Sequence, residues 1–126
     1  MSLEENRSSG NAADASARIL SLPSPSRGIR LWWCSLDATP RELATCETFL
    51  SHAELARAGR FGHARLRDRY VLGRGSLRAI LGRELDADPA AVEIVRGRRG
   101  RPQLPPRYPL DFNISHTDAI AIVGVV

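Results

Sequence analysis

The chain of 126 residues contains no lysine, only two cysteines and no long apolar run. A membrane-spanning helix needs about 18 or more consecutive apolar residues, and a signal peptide begins with a basic and then an apolar stretch; neither pattern is present. Cys34 and Cys46 are too few and too unpatterned for a disulfide framework or a zinc knuckle, so we expect two ordinary thiols. The sequence therefore indicates one small cytoplasmic domain.

All basic charge is carried by arginine, and it is unevenly distributed. Residues 57–107 hold 13 arginines against five acidic residues, whereas the rest of the chain holds five arginines and nine acidic residues. Such a concentration favours a phosphate-bearing partner, whether a nucleotide, a nucleic acid or a membrane surface. Aromatic residues make up 6% of the chain, so stacking platforms for nucleic-acid bases are scarce. A small basic nucleic-acid-binding module is the alternative interpretation at this point.

The N-terminal part of the chain predicts a leader followed by a folded unit. Residues 1–27 are rich in Ser, Asn, Ala and Pro and have no apolar period, which predicts a disordered leader. Residues 28–126 form the predicted domain. It begins with a strand over 29–36, where β-branched, leucine and tryptophan side chains are concentrated.

Three helices are predicted after this strand. Thr39 to Glu42 is typical of a capping box with proline at the first helical position, and Ser51 to Glu54 repeats the box. We expect two short helices that end near residues 50 and 60. Apolar spacing over 64–84 predicts a long helix, whose arginines we interpret as a solvated face. Gly73 and Gly75 would each cost this helix about 1 kcal/mol unless close packing compensates.

The C-terminal third of the chain predicts strands. Alternation indicates strands over 92–95, 110–114 and 119–126, with a turn at 115–118. The whole order predicts an α+β fold, in which one long and two short helices cover a small, mostly antiparallel sheet. Because residues 119–126 are apolar with no polar closing residue, we expect that the chain is a truncated part of a longer protein.

Two segments could carry chemistry. A nucleophile-and-base pair at Ser115 and His116 is disfavoured, because adjacent residues of an extended chain point to opposite faces. His116 is better suited to donating a hydrogen bond to a phosphate, and a turn histidine without a ligand is the alternative. Residues 96–102, Arg-Gly-Arg-Arg-Gly-Arg-Pro, could hold phosphate oxygens or form a solvated hairpin turn. Asp111, His116 and Asp118 match no familiar metal-ligand spacing, so no metal site is predicted.

Three motifs, taken in order, resemble the phosphopantetheinyl transferases of the surfactin-synthetase-activating type. The first is loose and runs Ser51-x-x-Glu-x-x-Arg57-x-x-Arg60-Phe61, with Arg69 on the next helix. The second, Gly100-Arg101-Pro102, is common, and the third, Asp111-Phe-Asn-Ile-Ser-His116, is specific. The resemblance covers roughly residues 29–126 and corresponds to the N-terminal half of such an enzyme.

The resemblance implies transfer of the 4′-phosphopantetheine arm of coenzyme A to a serine of an acyl or peptidyl carrier protein, a holo-ACP synthase activity. It also implies one half of a pseudo-twofold fold, with coenzyme A between the halves. By position in the family, Arg57 meets the 3′-phosphate of coenzyme A, and Ser115 and His116 meet the phosphates of the nucleotide. Arg101 replaces the usual lysine of a Gly-Lys-Pro element, which keeps the charge but changes the geometry.

Two motifs of the family are not among these 126 residues: Gly-x-Asp-x-Glu and a later Trp-x-x-Lys-Glu. Their carboxylates hold Mg²⁺, which neutralises the pyrophosphate and stabilises the leaving group. We therefore predict no catalytic or metal-binding residue here, no activity of the chain alone, and Mg²⁺ in the full-length enzyme only. Glu54 stands where some relatives have a basic residue. The expected partners are coenzyme A, a carrier protein and a missing C-terminal half, with no nucleic acid or membrane; self-assembly of a stand-alone half stays open.

Overall fold

Three helices and a four-stranded antiparallel sheet make up most of the computed structural model, which describes residues 18–126. The helices are α1 (Pro40–Phe49), α2 (His52–Gly59) and α3 (Ala64–Leu85). The strands are β1 (Ile19–Leu22), β2 (Arg30–Ser35), β3 (Val95–Arg96), β4 (Pro102–Gln103), β5 (Phe112–His116) and β6 (Ile120–Val125). The predicted α+β class is therefore confirmed. No helix in the described part of the chain is both long and apolar enough to cross a membrane.

The sheet has the strand order β1-β2-β6-β5, and a separate hairpin is formed by β3 and β4. Every pair in the sheet is antiparallel, with Trp33 opposite Ile122 at its centre. Alternate residues of the central strands are buried towards the helices, so one face of the sheet and α3 form the core. The buried residues of β2 and β6 are Trp32, Cys34, Ala121, Val123 and Val125.

Local sequence signals account for the two short helices. Thr39 Oγ1 accepts a hydrogen bond from the Glu42 backbone N–H at 3.2 Å, and Glu42 Oε1 accepts one from the Thr39 N–H at 2.8 Å. Ser51 and Glu54 make the same reciprocal pair at 3.2 and 2.9 Å. Both predicted capping boxes are thus confirmed, and each satisfies two backbone donors that the helix itself leaves free.

The predicted leader is wrong for its last part, because β1 lies inside residues 1–27. This strand pairs with the edge of β2, placing Ile19 opposite Cys34. Arg18 is buried just before it and donates to the Ser35 carbonyl at 2.8 Å and to Cys46 Sγ at 3.2 Å. These long-range contacts stabilise a segment whose local composition indicated disorder. Residues 1–17 of the predicted leader lie outside the described residues.

Two further strand boundaries differ from the prediction. The strand expected over 92–95 is reduced to β3, because the Val92 carbonyl accepts from Arg78 of α3 instead of from a neighbouring strand. The turn expected at 115–118 is narrower, since β5 continues through His116. The Thr117 N–H then donates to the Ile120 carbonyl at 2.9 Å and closes the β5–β6 hairpin.

Close packing of α1 against α3 explains Gly75. A Cβ atom on Gly75 would lie 2.5 Å from Cys46 Cβ and 3.0 Å from its Cα, so the position has no room for a side chain. A Cβ on Gly73 would meet Leu36 at 3.9 Å, which is an ordinary contact. Cys46 and Cys34 are both free and buried, and burial raises the pKa of the Cys34 thiol to about 11. The two thiols therefore act as core groups, as expected.

This difference between the glycines gives a matched pair of variants. Gly75→Ala should destabilise the fold by about 1–3 kcal/mol, because overpacking moves α1 away from α3. Gly73→Ala should stabilise it by about 0.5–1 kcal/mol, because alanine has the higher helix propensity and fits. Urea unfolding of both variants measures the two changes. Equal effects of the two substitutions would contradict the packing described here.

Candidate functional site

A groove of about 980 Å³ opens between the helices, the β3–β4 hairpin and the β5–β6 hairpin. Its wall contains residues of α2 and α3 on one side and of the two hairpins on the other. The arginines that line it are Arg57, Arg60, Arg69, Arg74, Arg96 and Arg101. His116 also lines it, together with two acidic residues, Glu54 and Asp118. The groove is thus strongly cationic, which suits a ligand that carries several phosphates.

The structure brings three of the four predicted binding residues to this groove. Arg57 comes from the last turn of α2, Arg101 precedes β4, and His116 ends β5. Arg101 Nη2 donates to Asn113 Oδ1 at 3.0 Å, so the hairpin is tied to β5 beside the groove. Ser115 is exposed but is not among the residues that line the groove. Its neighbour His116 lies in the groove because successive strand residues alternate.

A buried ion-pair cluster lies beneath α2. Arg78 donates to both oxygens of Glu54, from Nε at 2.8 Å and from Nη2 at 3.2 Å, and Arg74 Nη1 donates to Glu54 Oε2 at 2.9 Å. The side chains of Glu54 and Arg78 are 7% and 4% exposed. With two guanidiniums and one carboxylate, the cluster has a net charge of +1. An acidic residue in the groove therefore does not make this wall negative.

The interpretation of the α3 arginines as a solvated face is wrong for this cluster. Arg78 is buried, and Arg74 is 21% exposed. The spacing of Tyr70, Arg74 and Arg78, four residues apart each time, was the available sequence signal, because it places all three on one helix face. The acidic partner, Glu54, comes from another helix, so the spacing alone could not show that the arginines were paired.

The Glu54 carboxyl has a lowered pKa. Its burial favours the neutral form, but hydrogen bonds from Arg78, from the Ser51 backbone N–H and from Arg74 outweigh burial and hold the pKa below its ordinary value of 4.5. The carboxylate is therefore the form that the folded cluster stabilises.

Acidification should accordingly destabilise the fold through Glu54. Because the folded-state pKa lies below 4.5, the stabilisation is fully present above the unfolded-state pKa and is lost as the pH falls through the folded-state pKa. Glu54→Gln keeps a capping side chain but cannot titrate. The free energy of unfolding, measured by urea denaturation between about pH 3 and pH 6, should therefore fall less steeply in this variant than in the wild type. Parallel slopes would contradict the assignment.

Tyr70 lies between two cations at the wall of the groove. The guanidinium carbons of Arg57 and Arg74 are 5.8 and 5.6 Å from the centroid of its ring. Its hydroxyl is buried and has no hydrogen-bond partner among residues 18–126. Burial raises the pKa of this hydroxyl, so it stays protonated and can donate. Two guanidiniums that flank one aromatic ring are suited to the oxygens of one phosphate.

Ion pairs hold the turn that follows His116. Arg65 Nη2 lies 2.8 Å from Asp118 Oδ2, and Arg69 Nη1 lies 3.2 Å from Asp118 Oδ1. Arg69 also binds Asp37 at 3.0 Å, in the loop after β2. The Leu36 N–H donates to the Ala119 carbonyl at 2.8 Å. These contacts fix the end of the β5–β6 hairpin against α3, which places His116 in the groove wall.

Residues 18–126 do not fit a magnesium site. Within the described range, 18–126, no group of three or more His, Cys, Asp and Glu side chains could hold a metal ion. The carboxylate of Asp118 is taken by two arginines, and Asp111 Oδ1 accepts from the Phe112 N–H at 2.8 Å. The groove can therefore bind anions, but these residues do not supply the ligands for an activating metal ion.

Comparison with known proteins identifies the family. A family model described as "4′-phosphopantetheinyl transferase, N-terminal" matches residues 34–125. The 4′-phosphopantetheinyl transferase HetI of Nostoc sp. is 39% identical over 100 residues, which are 77% of this chain and 42% of that protein. A Synechocystis sp. protein, whose name marks the same activity as provisional, is 28% identical over 106 residues, 82% of this chain and 41% of its own length.

The chain thus spans about two fifths of the length of these relatives. No solved structure matches it significantly. The family model covers most of the described residues, including both hairpins and all three helices of the groove. The chain belongs to the 4′-phosphopantetheinyl transferase superfamily, of which it represents the N-terminal half.

Proposed function

We propose that the groove binds the phosphates of coenzyme A and that the chain supplies the coenzyme A-binding half of a holo-ACP synthase. The full enzyme would transfer the 4′-phosphopantetheine arm to a serine of an acyl or peptidyl carrier protein in the cytoplasm. One observation carries the proposal: Arg57, Arg101 and His116, which family position assigns to coenzyme A, come from three separate elements and line the same groove. Membership of the superfamily supports the reaction class.

Each binding residue has a distinct task in this proposal. Arg57 holds the 3′-phosphate, and Arg74, which lies against the same Tyr70 ring, would complete its shell. Arg101 and His116, on the opposite wall, hold the phosphates of the nucleotide. Guanidinium groups are suited to this because each presents several N–H donors in a planar fork. Ser115 keeps its family assignment as a prediction and would have to reach the ligand from outside the groove wall.

The chemistry requires groups beyond those described. When bound, Mg²⁺ would neutralise the pyrophosphate and stabilise charge on the departing adenosine 3′,5′-bisphosphate. Since residues 18–126 do not offer a metal site, we propose that the metal ligands belong to a C-terminal half. The residues of this chain would bind and orient coenzyme A, and the chain alone would bind it weakly and catalyse no transfer.

Two assays on the purified chain test the proposal. With Mg²⁺, coenzyme A and an apo carrier protein, mass spectrometry should show no phosphopantetheine on the carrier serine. Measurable transfer would overturn the proposal that the metal ligands belong to a C-terminal half. Titration with coenzyme A and with adenosine 3′,5′-bisphosphate should show weak, saturable binding of both. Absence of nucleotide binding, together with strong and salt-sensitive binding of DNA or RNA, would overturn the coenzyme A assignment and favour a nucleic-acid module.

A further inference from the structure

The tip of the β3–β4 hairpin presents two arginines that the coenzyme A groove does not use. Residues 94–110 contain five arginines and no acidic residue. Arg96 and Arg101, on the two arms of the hairpin, line the groove. Arg98 and Arg99, at the tip, are exposed and do not line it. Within residues 18–126, the side chains of Arg98 and Arg99 make no hydrogen bond, ion pair or ring contact, so both guanidiniums are available to a partner.

The tip is closed by backbone hydrogen bonds and places Arg99 in a strained conformation. Three backbone hydrogen bonds close it, from Gly97 to Arg101 at 2.7 Å, from Gly100 to Gly97 at 3.1 Å and from Arg101 to Arg98 at 3.3 Å. Arg99 has φ 61° and ψ 21°, in the left-handed region that glycine adopts without strain. Glycine would therefore suit position 99 better than arginine does. A charged side chain held in a strained turn is a feature found at functional sites.

We propose that Arg98 and Arg99 are a docking point for an acidic face of the carrier protein that receives the arm. The inference rests on the proposed function, in which a protein must bring its serine to the rim of the groove. The hairpin lies at that rim, because Gly100 and Arg101 line the groove directly after the tip. Two exposed, unpaired guanidiniums are complementary to surface carboxylates, and such pairs at the edge of an interface act mainly by accelerating association.

A nucleic acid fits the tip less well than an acidic protein does. Specific and non-specific nucleic-acid binding both depend on neutralising several phosphates along a backbone. Here two arginines project at the tip, and residues 94–104 contain no aromatic side chain for base stacking. The neighbouring Arg96 and Arg101 line the groove, and Arg101 is assigned to coenzyme A. Binding of a nucleic acid by the tip would therefore contradict the docking proposal.

The test compares a double variant with a matched control. Arg98→Ala combined with Arg99→Gly removes both tip charges and relieves the strain at position 99. Arg27→Gly is the control, because Arg27 is also exposed, lies in the β1–β2 turn and does not line the groove, and its side chain makes no hydrogen bond, ion pair or ring contact among residues 18–126. Binding of an acidic apo acyl carrier protein is measured by surface plasmon resonance at low ionic strength, coenzyme A binding by calorimetry and Tm by thermal unfolding.

The double variant should lose about tenfold in the association rate constant for the carrier protein. Its coenzyme A affinity should be unchanged, its Tm should not fall, and the control should behave as the wild type. No carrier binding by the wild type, equal losses in the control, or a loss of coenzyme A affinity in the double variant would overturn the docking proposal. So would salt-sensitive binding of an oligonucleotide in place of the carrier. Failure of the wild type to bind coenzyme A would instead overturn the proposed function.

Discussion

Replacing Arg78 by alanine should lower the free energy of unfolding by about 3–5 kcal/mol, because the substitution leaves a buried carboxylate without its main partner. Arg78 donates two hydrogen bonds to Glu54 and two more to the carbonyls of Val92, at 2.5 Å, and Pro89, at 3.1 Å. It is 3% exposed, so water cannot replace these bonds. The side chain joins α2, α3 and the segment before β3, and its loss should loosen all three.

Chemical denaturation followed by circular dichroism measures this effect, and Arg83→Ala is the matched control. Arg83 lies on the same helix, is exposed and packs over the Trp32 ring at 5.5 Å, so its loss should cost about 1 kcal/mol or less. Adding Glu54→Gln to Arg78→Ala should recover part of the lost stability, since the buried charge is then removed. A single Arg78→Ala variant as stable as the control would show that the cluster does not hold the helices together.

Arg57→Ala should weaken binding of coenzyme A about 10- to 100-fold, as expected for the loss of charge-assisted hydrogen bonds worth about 1.5–3 kcal/mol. The guanidinium is free to bind because its described contact is with the Tyr70 ring, and it forms no ion pair among residues 18–126. Arg57 is exposed, so the fold should keep its stability. The effect should therefore be one of affinity, measured by calorimetry or by NMR titration.

Dephospho-coenzyme A, which lacks the 3′-phosphate, separates this role from general electrostatics. If Arg57 meets the 3′-phosphate, the wild type should bind dephospho-coenzyme A more weakly than coenzyme A, and this difference in affinity should be clearly smaller in Arg57→Ala, where Arg74 remains. A similar loss of affinity for both ligands would mean that Arg57 contributes only to the overall positive field of the groove. Arg83→Ala again serves as the control, with unchanged affinities.

The helices could be predicted from the sequence because their signals are local. Capping boxes at Thr39 and Ser51 act within one turn, and the long helix follows from its own apolar spacing. The buried state of Arg78 could not be predicted in the same way. It depends on Glu54, which lies 24 positions earlier in the chain and reaches Arg78 only when α2 packs on α3.

Strand order and strand limits also depend on distant residues. β1 lies in a segment whose surroundings are rich in Ser, Asn, Ala and Pro, and it is stabilised by pairing with β2 and by the buried Arg18. The short β3 results from a side chain of α3 that takes the Val92 carbonyl. For the groove, motifs identified Arg57, Arg101 and His116, whereas Tyr70 and Arg74 emerged only from the packing of α2 against α3.

The most direct test of the coenzyme A groove is an NMR titration of the isotope-labelled chain with coenzyme A. Chemical shifts should change at Arg57, Tyr70, Arg101 and His116, on both walls of the groove, and those of the open face of the sheet around Trp33 should stay the same. Changes confined to the sheet face, or no change at ligand concentrations that saturate weak sites, would contradict it.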